Sequence, residues 1–580
     1  MTGSSTIAVD TVTNILDRTG IILPLSVFTL LALAIVYHDR ALFTKPARSN
    51  LYSPPGTLPL IGQTLQAAKM AGNRELDVAL DFTRQSPNSG FQLSIAIQGN
   101  LIFLSRPEYI EAIQKTHFDV FVKGDFFRDR FADVLGQNGI FVADGHVWKH
   151  SRKTASHIFS AGQFRNWVQV VVHEELDKIV SLLGASASAS SAASASRAGD
   201  KKNGIINLPD LFFRYTLNSF SRMAFSADIG CLAHDPKCLN TPVPFAVAFD
   251  YAQTVINVRV LMPGFRIIER LTGTATKMSN AIKTVQNFAG GIIEERVRTA
   301  QAKKADEASK SVQPTHEGGS IAKLAKKDGK DLLDLFLETT QDREELMTIV
   351  LNFLIAGRDT TAQLLSWFFY EMIAHPEHLD EIRKELTEVL GDCPAEGYRL
   401  PYDQMRDLPY TFACITEALR LHPSVPKNAK RCMKDTLLVP SGPNPTNLPP
   451  VQVYKGEMVG WSDWVMARLP EVWGPDCEEY KPSRFLEEEV DSATGVKRRT
   501  VRQYSQWQQH MFNGGPRLCL GMNLANYEAL SLVAAVVPLF DFHWATAEQG
   551  QTVNWPPTYV SSLTHPMESY KVEFRRRAQQ

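Results

Sequence analysis

One cysteine stands in a run of residues whose spacing could hold a metal-bound thiolate. Cys519 lies in the segment 512–521, which reads Phe-Asn-Gly-Gly-Pro-Arg-Leu-Cys-Leu-Gly. A thiolate is a strong electron donor to haem iron, and it needs shielding and backbone N–H donors that tune its charge. Gly515 and Gly521 are expected to let the backbone turn around the sulfur, and Arg517 offers a planar fork of donors that suits a haem propionate. The run therefore predicts Cys519 as an iron ligand.

A second motif, Ala-Gly-Arg-Asp-Thr-Thr, occupies residues 356–361 of a segment with helical periodicity. A threonine hydroxyl in a helix can donate to the carbonyl four residues earlier, here from Thr360 to Ala356, and bend the helix. Gly357 would leave room for a small molecule such as O2 beside the helix. The motif predicts that Thr360 holds water and that Asp359 relays protons, as a catalytic pair. A Thr-Thr pair that only packs in the core is the alternative.

Two further pairs of residues share a helix face because of their spacing. Glu417 and Arg420 are three residues apart, and Trp148 and Arg152 are four residues apart, so each pair lies on one side of a helix. An exposed Glu–Arg pair contributes little to stability, so the first pair matters only if a third partner buries it. Trp148 and Arg152 could both face an anionic group of a cofactor, which an ordinary amphipathic helix explains less well.

These motifs, in this order, resemble those of the cytochrome P450 family of haem-thiolate monooxygenases, over about residues 50–575. The resemblance implies that residues 356–361 form the oxygen-activation motif. It also implies that Arg484, in the run Pro-Ser-Arg-Phe, joins Glu417 and Arg420 in a buried structural network. The serine of that run stands where the family usually has Glu, which is a mild departure.

The resemblance also implies a cofactor and electron donors. The cofactor is haem b with its iron ligated by Cys519, O2 is the co-substrate, and NADPH supplies electrons through NADPH–cytochrome P450 reductase, with cytochrome b5 as a second candidate donor. Lys430 stands where relatives often carry Arg, and the adjacent Arg431 leaves open which of the two meets a haem propionate. The residues expected to contact haem are Trp148, Arg152, Lys430, Phe512, Gly515, Arg517 and Gly521.

Helical periodicity dominates the elements that must position these motifs. From Asp342, with Glu345 as a capping-box partner, apolar residues recur at the i, i+3, i+4, i+7 and i+8 positions of an amphipathic helix. Pro376 is expected to end this helix. Runs with strand character are Phe91–Ile97, Asn100–Leu104 and Ser569–Phe574. The expected fold is mainly α with small β-sheets, which is also the cytochrome P450-like fold that the resemblance implies.

Composition and charge exclude some other classes. The chain has 580 residues, a formal net charge of −1 and 44% hydrophobic residues, which is a globular and not a disordered composition. The balanced charge gives no reason to expect a nucleic-acid partner. The 7 cysteines form no ladder of pairs, as in proteins of reducing compartments. Cys231, His234 and Cys238 lack a fourth ligand and fit no common zinc spacing.

The N-terminal region predicts a transmembrane anchor. Residues 21–37 follow a tail at 1–20, are apolar, and would be about 26 Å long as a helix, near the lower limit for a span. No cleavage site follows them, and the basic residues that do follow put the rest of the protein in the cytosol. We therefore expect a single-pass protein of the endoplasmic reticulum membrane, in contact with the lipid bilayer. A basic, proline-rich hinge at 38–62 would connect the anchor to a haem-thiolate catalytic domain at 63–580. A buried or surface-lying helix is the alternative.

Two segments lack the apolar content to bury a core. Residues 185–204 begin with an Ala- and Ser-rich run, and residues 303–330 are charged and polar. Both segments are predicted to be mobile surface insertions in the catalytic domain.

The motif sequences look most like the fungal alkane and fatty-acid hydroxylase branch of the family. This implies hydroxylation of a long-chain fatty acid or alkane at or near its terminal methyl, in a long apolar pocket with few polar groups. Arg128 and Arg130 could hold a carboxylate at the mouth of that pocket, or they could lie on a solvated face. The candidates for lining the pocket are Phe126, Phe127, Phe131, Phe353, Ala356, Val425 and Leu563.

Three alternatives stay open. The same chemistry could act on a terpenoid, a sterol or an aromatic xenobiotic. A haem-binding protein without turnover is a rival of another class, but such a protein needs no proton relay, so Asp359 and Thr360 argue against it. Haem-thiolate isomerase chemistry needs no external electrons, and dependence on NADPH would exclude it.

Overall fold

Helices make up most of the part of the chain that the computed structural model describes. The described residues are 25–70, 74–159, 161–195, 205–309, 331–490, 497–545, 559, 562–567 and 569–578. Labelled in chain order, the α-helices are α1 (25–36), α2 (Thr64–Met70), α3 (Glu75–Arg84), α4 (Pro107–Glu111), α5 (Gly124–Leu135), α6 (Gly145–Ser156), α7 (Ala161–Gln163), α8 (Gln169–Ala195), α9 (Leu208–Phe225), α10 (Pro244–Leu261), α11 (Phe265–Leu271), α12 (Thr274–Ser309), α13 (Leu332–Leu337), α14 (Arg343–Ala374), α15 (Glu377–Leu390), α16 (Pro409–Leu421), α17 (Asp463–Met466), α18 (Pro470–Trp473) and α19 (Met522–Val536). Short π-helical turns cover Ala112–Thr116 and Phe164–Val168, and 3-10 turns cover His157–Phe159, Pro236–Asn240, Tyr402–Asp407, Pro482–Phe485, His510–Phe512 and Gly515–Arg517.

The strands form small sheets. They are β1 (Gly90–Ile95), β2 (Gly99–Leu104), β3 (Phe121–Val122), β4 (Ile205–Asn207), β5 (Lys427–Cys432), β6 (Thr436–Leu438), β7 (Val451–Val453), β8 (Met458–Ser462), β9 (Leu486–Val490), β10 (Lys497–Val501), β11 (Phe540–Trp544) and β12 (Lys571–Arg576). One sheet has the order β1-β2-β8-β5-β3, in which β2 and β8 are parallel and the other neighbours are antiparallel. The remaining sheets of the described residues are β11-β12-β4, β10-β9 and β6-β7. A mainly α fold with small sheets is what the sequence predicts.

Helix α14 carries the predicted oxygen-activation motif and packs against α9, α12, α16 and α19. Its apolar stripe is buried, as the periodicity predicts. The side chain of Asp342 caps the helix by accepting from the N–H of Glu344 at 2.9 Å, and not from Glu345 as in the predicted capping box. The helix ends at Ala374, two residues before Pro376, because the residue that precedes a proline avoids the helical conformation.

Both segments that were predicted as insertions are helical at their start. Helix α8 continues to Ala195, so residues 185–195 are helical. Alanine has the highest helix propensity, and its run extends the helix that precedes it. Helix α12 likewise continues to Ser309. The rest of the two predicted insertions, 196–204 and 310–330, lies outside the described residues.

Helix α1 exposes large apolar side chains, among them Phe28 and Ile35. Across the described residues, no helix has both the length and the apolar character needed to cross a bilayer. Residues 1–24, which include the start of the predicted span at 21–37, lie outside the described residues. The anchor therefore stays a prediction.

The segment predicted as a hinge, 38–62, packs on the catalytic part of the chain. The Arg48 guanidinium pairs with the Glu457 carboxylate, and both side chains are less than 10% exposed. The N–H of Gln92 donates to the carbonyl of Tyr52 at 2.8 Å. The hinge segment is thus bound to β1 through Tyr52 and to the residue that precedes β8 through Arg48.

Candidate active site

An interior cavity of about 480 Å³ brings most of the predicted site residues together. Helices α5, α6, α10 and α14, strand β5 and the segment 510–528 contribute to its walls. The wall is mostly apolar, which suits a hydrophobic ligand. The predicted residues that line it are Phe127, Phe131, Trp148, Arg152, Phe353, Ala356, Thr360, Val425, Lys430, Phe512, Arg517, Cys519, Gly521 and Leu563.

Phe126, which was predicted to line the pocket, lies outside the cavity wall. Its ring instead packs against the guanidinium of Arg130, whose central carbon lies 3.6 Å from the ring centroid. Arg130 is buried and donates to the carbonyls of Phe126 and Arg259. Arg128 pairs with Asp125. Neither arginine lines the cavity, and the suggestion that they hold a carboxylate at its mouth stays a prediction.

The Cys519 thiol faces the cavity, which accounts for its accessible surface. Burial by the surrounding protein raises the pKa of this thiol, and the N–H groups of Gly521 and Met522, together with the charge of Arg152, lower it. The N–H of Cys519 donates to the carbonyl of Phe512 at 2.8 Å, which closes the loop. A sulfur that accepts backbone N–H donors in a shielded loop is what a metal thiolate needs.

The two glycines that flank the cysteine differ in whether the backbone conformation requires glycine. Gly515 has a φ of 58°, in the left-handed region, and it is not part of the cavity wall. Gly521 has a φ of −86°, which any residue adopts, so its predicted role in the turn is wrong. Its contribution is the N–H donor to Cys519.

Several basic side chains lie close together near Trp148 and the loop that carries Cys519. Burial, with a smaller contribution from the charge of Arg517, lowers the pKa of Lys123 to about 7. Burial also lowers the pKa of Lys430 well below its ordinary value, and the pKa of Arg517 to about 10. Asp144, which accepts from Arg517 at 3.0 Å, opposes all three shifts. The lowered pKa values show that these buried basic groups lack enough negative charge nearby to stabilise their charged forms.

This donor set fits the propionates of haem. Lys123, Arg152, Lys430 and Arg517 are four of the cations that line the cavity. Asp144 is the one carboxylate among the described residues that raises the pKa of Lys123, Lys430 and Arg517. The Nε atom of Arg517 is buried and has no hydrogen-bond partner among the described residues. Buried cations require anionic partners, and carboxylates of a bound cofactor would supply them.

Lys430 and the adjacent Arg431 differ in whether they line the cavity. Lys430 is 3% exposed and lines the cavity. Arg431 is not part of the wall, and its guanidinium lies 6.0 Å from the centroid of the Phe126 ring.

Lys123 was missed by sequence reasoning because it belongs to no motif. Its ammonium donates to Asn428, 305 positions along the chain, at 2.6 Å.

Thr360 has the local geometry that the sequence predicts. Its hydroxyl donates to the carbonyl of Ala356 at 2.7 Å, and its own carbonyl accepts from the Ser424 hydroxyl at 2.8 Å. Thr360 lines the cavity. A hydroxyl that has donated its proton can still accept a hydrogen bond from water.

Asp359 does not line the cavity. It is 1% exposed, accepts from Arg358 at 2.9 Å, and accepts from the side-chain amide of Gln253 at 2.6 Å. Burial raises the pKa of this carboxyl, and Arg358 opposes that rise. Gln253 lines the cavity, so its hydrogen bond connects Asp359 to the cavity wall.

Gly357 has a packing role that differs from the predicted one. A Cβ atom at this position would lie 2.2 Å from the ring of Phe220. The space on the Cβ side of the glycine is therefore filled by the aromatic ring of α9. Gly357 also lines the cavity, and room for O2 beside the helix stays a prediction.

Glu528 is a buried acid that sequence reasoning missed. It is 1% exposed, lines the cavity, and accepts from the Ser219 hydroxyl at 2.7 Å. Burial raises the pKa of its carboxyl to about 8, although hydrogen bonds from Ser219 and Thr361 lower it. Its partners Ser219 and Thr361 lie on α9 and α14, and such contacts cannot be found from spacing alone.

The predicted structural network is assembled. Arg420 donates to both carboxylate oxygens of Glu417, at 2.6 and 2.8 Å, and Arg484 donates to one of them at 3.2 Å. Each side chain is at most 9% exposed. Arg484 also donates to the carbonyl of Trp473 at 2.8 Å, so the network ties α16 to the segments that precede the cysteine loop.

Comparison with known proteins gives a family match. The family model described as "Cytochrome P450" matches residues 53–574. The chain is 36% identical to "Cytochrome P450 monooxygenase cyp1" of Mycosarcoma maydis over 90% of this chain and 74% of that protein. It is 32% identical to "Cytochrome P450 86B1" of Arabidopsis thaliana over 74% of this chain and 70% of that protein. It is 30% identical to "Cytochrome P450 94B1" of the same plant over 92% and 94% of the two chains.

Proposed function

Because the chain belongs to the cytochrome P450 family and is therefore a monooxygenase that uses haem-thiolate iron and O2, we propose that it hydroxylates a long-chain fatty acid or alkane at or near its terminal methyl. One observation carries this proposal. Cys519, Thr360 and the apolar residues Phe127, Phe131 and Phe353 line a single cavity. A hydrophobic chain that enters this cavity would lie against the residues that hold the cofactor and order water.

The cofactor, when bound, supplies the iron that activates O2 with electrons from a redox partner. Cys519 would ligate the iron, and the backbone N–H donors to its sulfur would tune the charge of the thiolate. Lys123, Arg152, Lys430 and Arg517 would hold the propionates, since all four line the cavity and the first three interact electrostatically with Arg517.

Protons would be handled by groups on α14 and α10. The Thr360 hydroxyl, fixed by its bond to Ala356, can accept from a water molecule in the cavity and hold it in place. Asp359 would act behind the wall, because it accepts from Gln253 and fixes the orientation of that amide. Asp359 would thus be a positioning residue, and Thr360 would touch the water.

The apolar wall supports an alkyl substrate. Each CH2 group that leaves water contributes about 0.8 kcal/mol, so binding should tighten with chain length until the cavity is full. Attack on the terminal methyl requires a narrow passage, because the terminal C–H bond is stronger than its neighbours. Phe353 and Ala356 line the cavity about two turns and one turn before Thr360, so they would form that passage.

The function is tested by product analysis. The full-length protein in microsomes, supplied with NADPH and a reductase, should convert acids from dodecanoic to octadecanoic acid, or the matching alkanes, into products oxidised at or near the methyl end. Phe353→Ala should move oxidation inward along the chain, whereas Phe126→Ala, outside the cavity, should leave its position unchanged. Turnover of a rigid terpenoid, sterol or aromatic compound, with no oxidation of any straight chain, would overturn the substrate proposal.

Partners and location are part of the same proposal. We propose NADPH–cytochrome P450 reductase as the electron donor and cytochrome b5 as a second one. A single span at 21–37 would hold the protein in the endoplasmic reticulum membrane with its catalytic domain in the cytosol. The apolar surface of α1 supports contact with lipid.

A further inference from the structure

Three polar side chains from three separate elements meet in the wall of the same cavity. They are Glu75 at the start of α3, Asn257 on α10 and Lys427 at the start of β5. The Lys427 ammonium donates to a carboxylate oxygen of Glu75. The side-chain amide of Asn257 donates to both oxygens of that carboxylate, at 3.2 and 3.3 Å. We refer to these residues as the polar triad.

The polar triad lies in apolar surroundings. The Glu75 side chain is 6% exposed and that of Lys427 is 25% exposed, while Leu76 and Ile256, their neighbours on α3 and α10, line the same cavity. Removing an ion pair from water carries a desolvation cost, and a hydrophobic pair of similar volume is often as stable. An ion pair at this place therefore points to a use beyond stability.

The charges of the cavity decide what the polar triad can bind. Of the cavity-lining cations in the described residues, Lys123, Arg152, Lys430 and Arg517 surround the site that fits the propionates. Lys427 is the remaining one, and Glu75 neutralises it. A ligand that reaches the polar triad thus meets hydrogen-bonding groups with no net charge.

We propose that the polar triad binds the polar head of the substrate and selects an uncharged hydroxyl or ester over a free carboxylate. An ammonium has three donors, so Lys427 can donate to a ligand oxygen while it keeps its bond to Glu75. A hydroxyl could also donate to the carboxylate of Glu75. A carboxylate head would instead be placed next to a like charge, which disfavours it. This inference rests on the proposed function and narrows it, because among long-chain substrates it favours alcohols and esters over the free fatty acid.

The test compares three ligands with the same chain at about pH 8, where the acid is ionised. They are dodecan-1-ol, methyl dodecanoate and dodecanoic acid, and dissociation constants are measured by equilibrium dialysis of the full-length holoprotein. The wild type should bind the alcohol and the ester at least tenfold more tightly than the acid. Glu75→Gln leaves Lys427 uncompensated, so it should tighten binding of the acid at least tenfold and change binding of the ester less than threefold. Adding Lys427→Met to Glu75→Gln should abolish that gain.

Glu478→Gln is the matched control. It removes a carboxylate that pairs with Arg84 at the other end of α3, with both side chains more than 40% exposed, and it should change none of the dissociation constants. The inference is overturned if the wild type binds the acid as tightly as the alcohol, or if Glu75→Gln leaves their ratio unchanged while the haem content is normal. Failure of all three chains to bind would instead refute the proposed function.

Discussion

The guanidinium of Arg517 stacks on the ring of Trp148, with its central carbon 4.5 Å from the ring centroid. Arg517 also donates to the carbonyl of Ala143 at 2.8 Å and to the carboxylate of Asp144 at 3.0 Å. Helix α6 begins at the next residue, so these contacts fix the start of α6 to the loop that carries Cys519. The cation cluster and the thiol are thereby held in one rigid arrangement.

The thiolate assignment gives the first prediction. Cys519→Ser should retain little haem, because a serine hydroxyl is a poor ligand for haem iron. Any haem that stays bound should lack the red-shifted Soret band that thiolate ligation gives to the reduced CO complex. Haem content and reduced CO spectra check this on purified protein. Cys414→Ser is the control, since Cys414 is buried in α16 and does not line the cavity. An unchanged spectrum in Cys519→Ser would refute the assignment.

The cation cluster gives the second prediction. Lys430→Gln should lower the haem-to-protein ratio and raise the rate of haem transfer to apomyoglobin severalfold, because it removes a buried cation from the cavity wall. Arg431→Gln is the neighbouring control, and it should leave both measurements close to wild type because Arg431 does not line the cavity. Equal effects of the two variants would contradict the separation of their roles.

The third prediction concerns Thr360. Thr360→Ala should still bind substrate, but it should release more hydrogen peroxide and less product per NADPH, because the water that Thr360 would hold is lost. Ser366→Ala is a matched control on the same helix, since the Ser366 hydroxyl donates to the carbonyl of Ala362 at 2.7 Å and does not line the cavity. Coupling ratios that do not differ between Thr360→Ala and Ser366→Ala would argue against the role of Thr360.

The local parts of the fold were predictable, and the reasons are physical. Helix α14 follows from an apolar stripe that ends before Pro376. The bond from Thr360 to Ala356 follows from helical geometry, because the donor and the acceptor are four residues apart. The Glu417–Arg420 contact follows from spacing in the same way.

Contacts between distant elements could not be read from spacing. Asp359 has the residue type of a proton relay, yet Gln253, 106 positions away, and Arg358 hold it outside the cavity. Arg48 has the charge of a residue that flanks a membrane span, yet it pairs with Glu457, 409 positions away. In each case a partner from another element decides the role of the side chain.

The fourth prediction concerns the pH dependence of stability and the buried Glu528. Its pKa in the folded protein is raised from about 4.5 to about 8 by burial. Between these two values the folded state binds a proton that the unfolded state has lost. The stability should therefore fall as the pH rises through this window, with a slope of about 1.4 kcal/mol per pH unit from this one group. Below the window both states are protonated, and above it both are ionised, so the contribution to the slope vanishes.

Glu528→Gln isolates this contribution, because glutamine keeps the shape of the side chain and does not ionise. Other buried carboxyls with a raised pKa, such as Asp359 and Glu371, remain in the variant, so the difference between the two proteins reports Glu528. Both proteins are unfolded with urea at about pH 5.5, 6.5 and 7.5. The free energy of unfolding of the variant should rise relative to that of the wild type by roughly 1 kcal/mol per pH unit. Glu377→Gln, whose side chain is 65% exposed on α15, is the control. Parallel stability curves for Glu528→Gln and the wild type would mean that Glu528 is ionised in the folded protein, and that its bonds to Ser219 and Thr361 offset the cost of burying its charge.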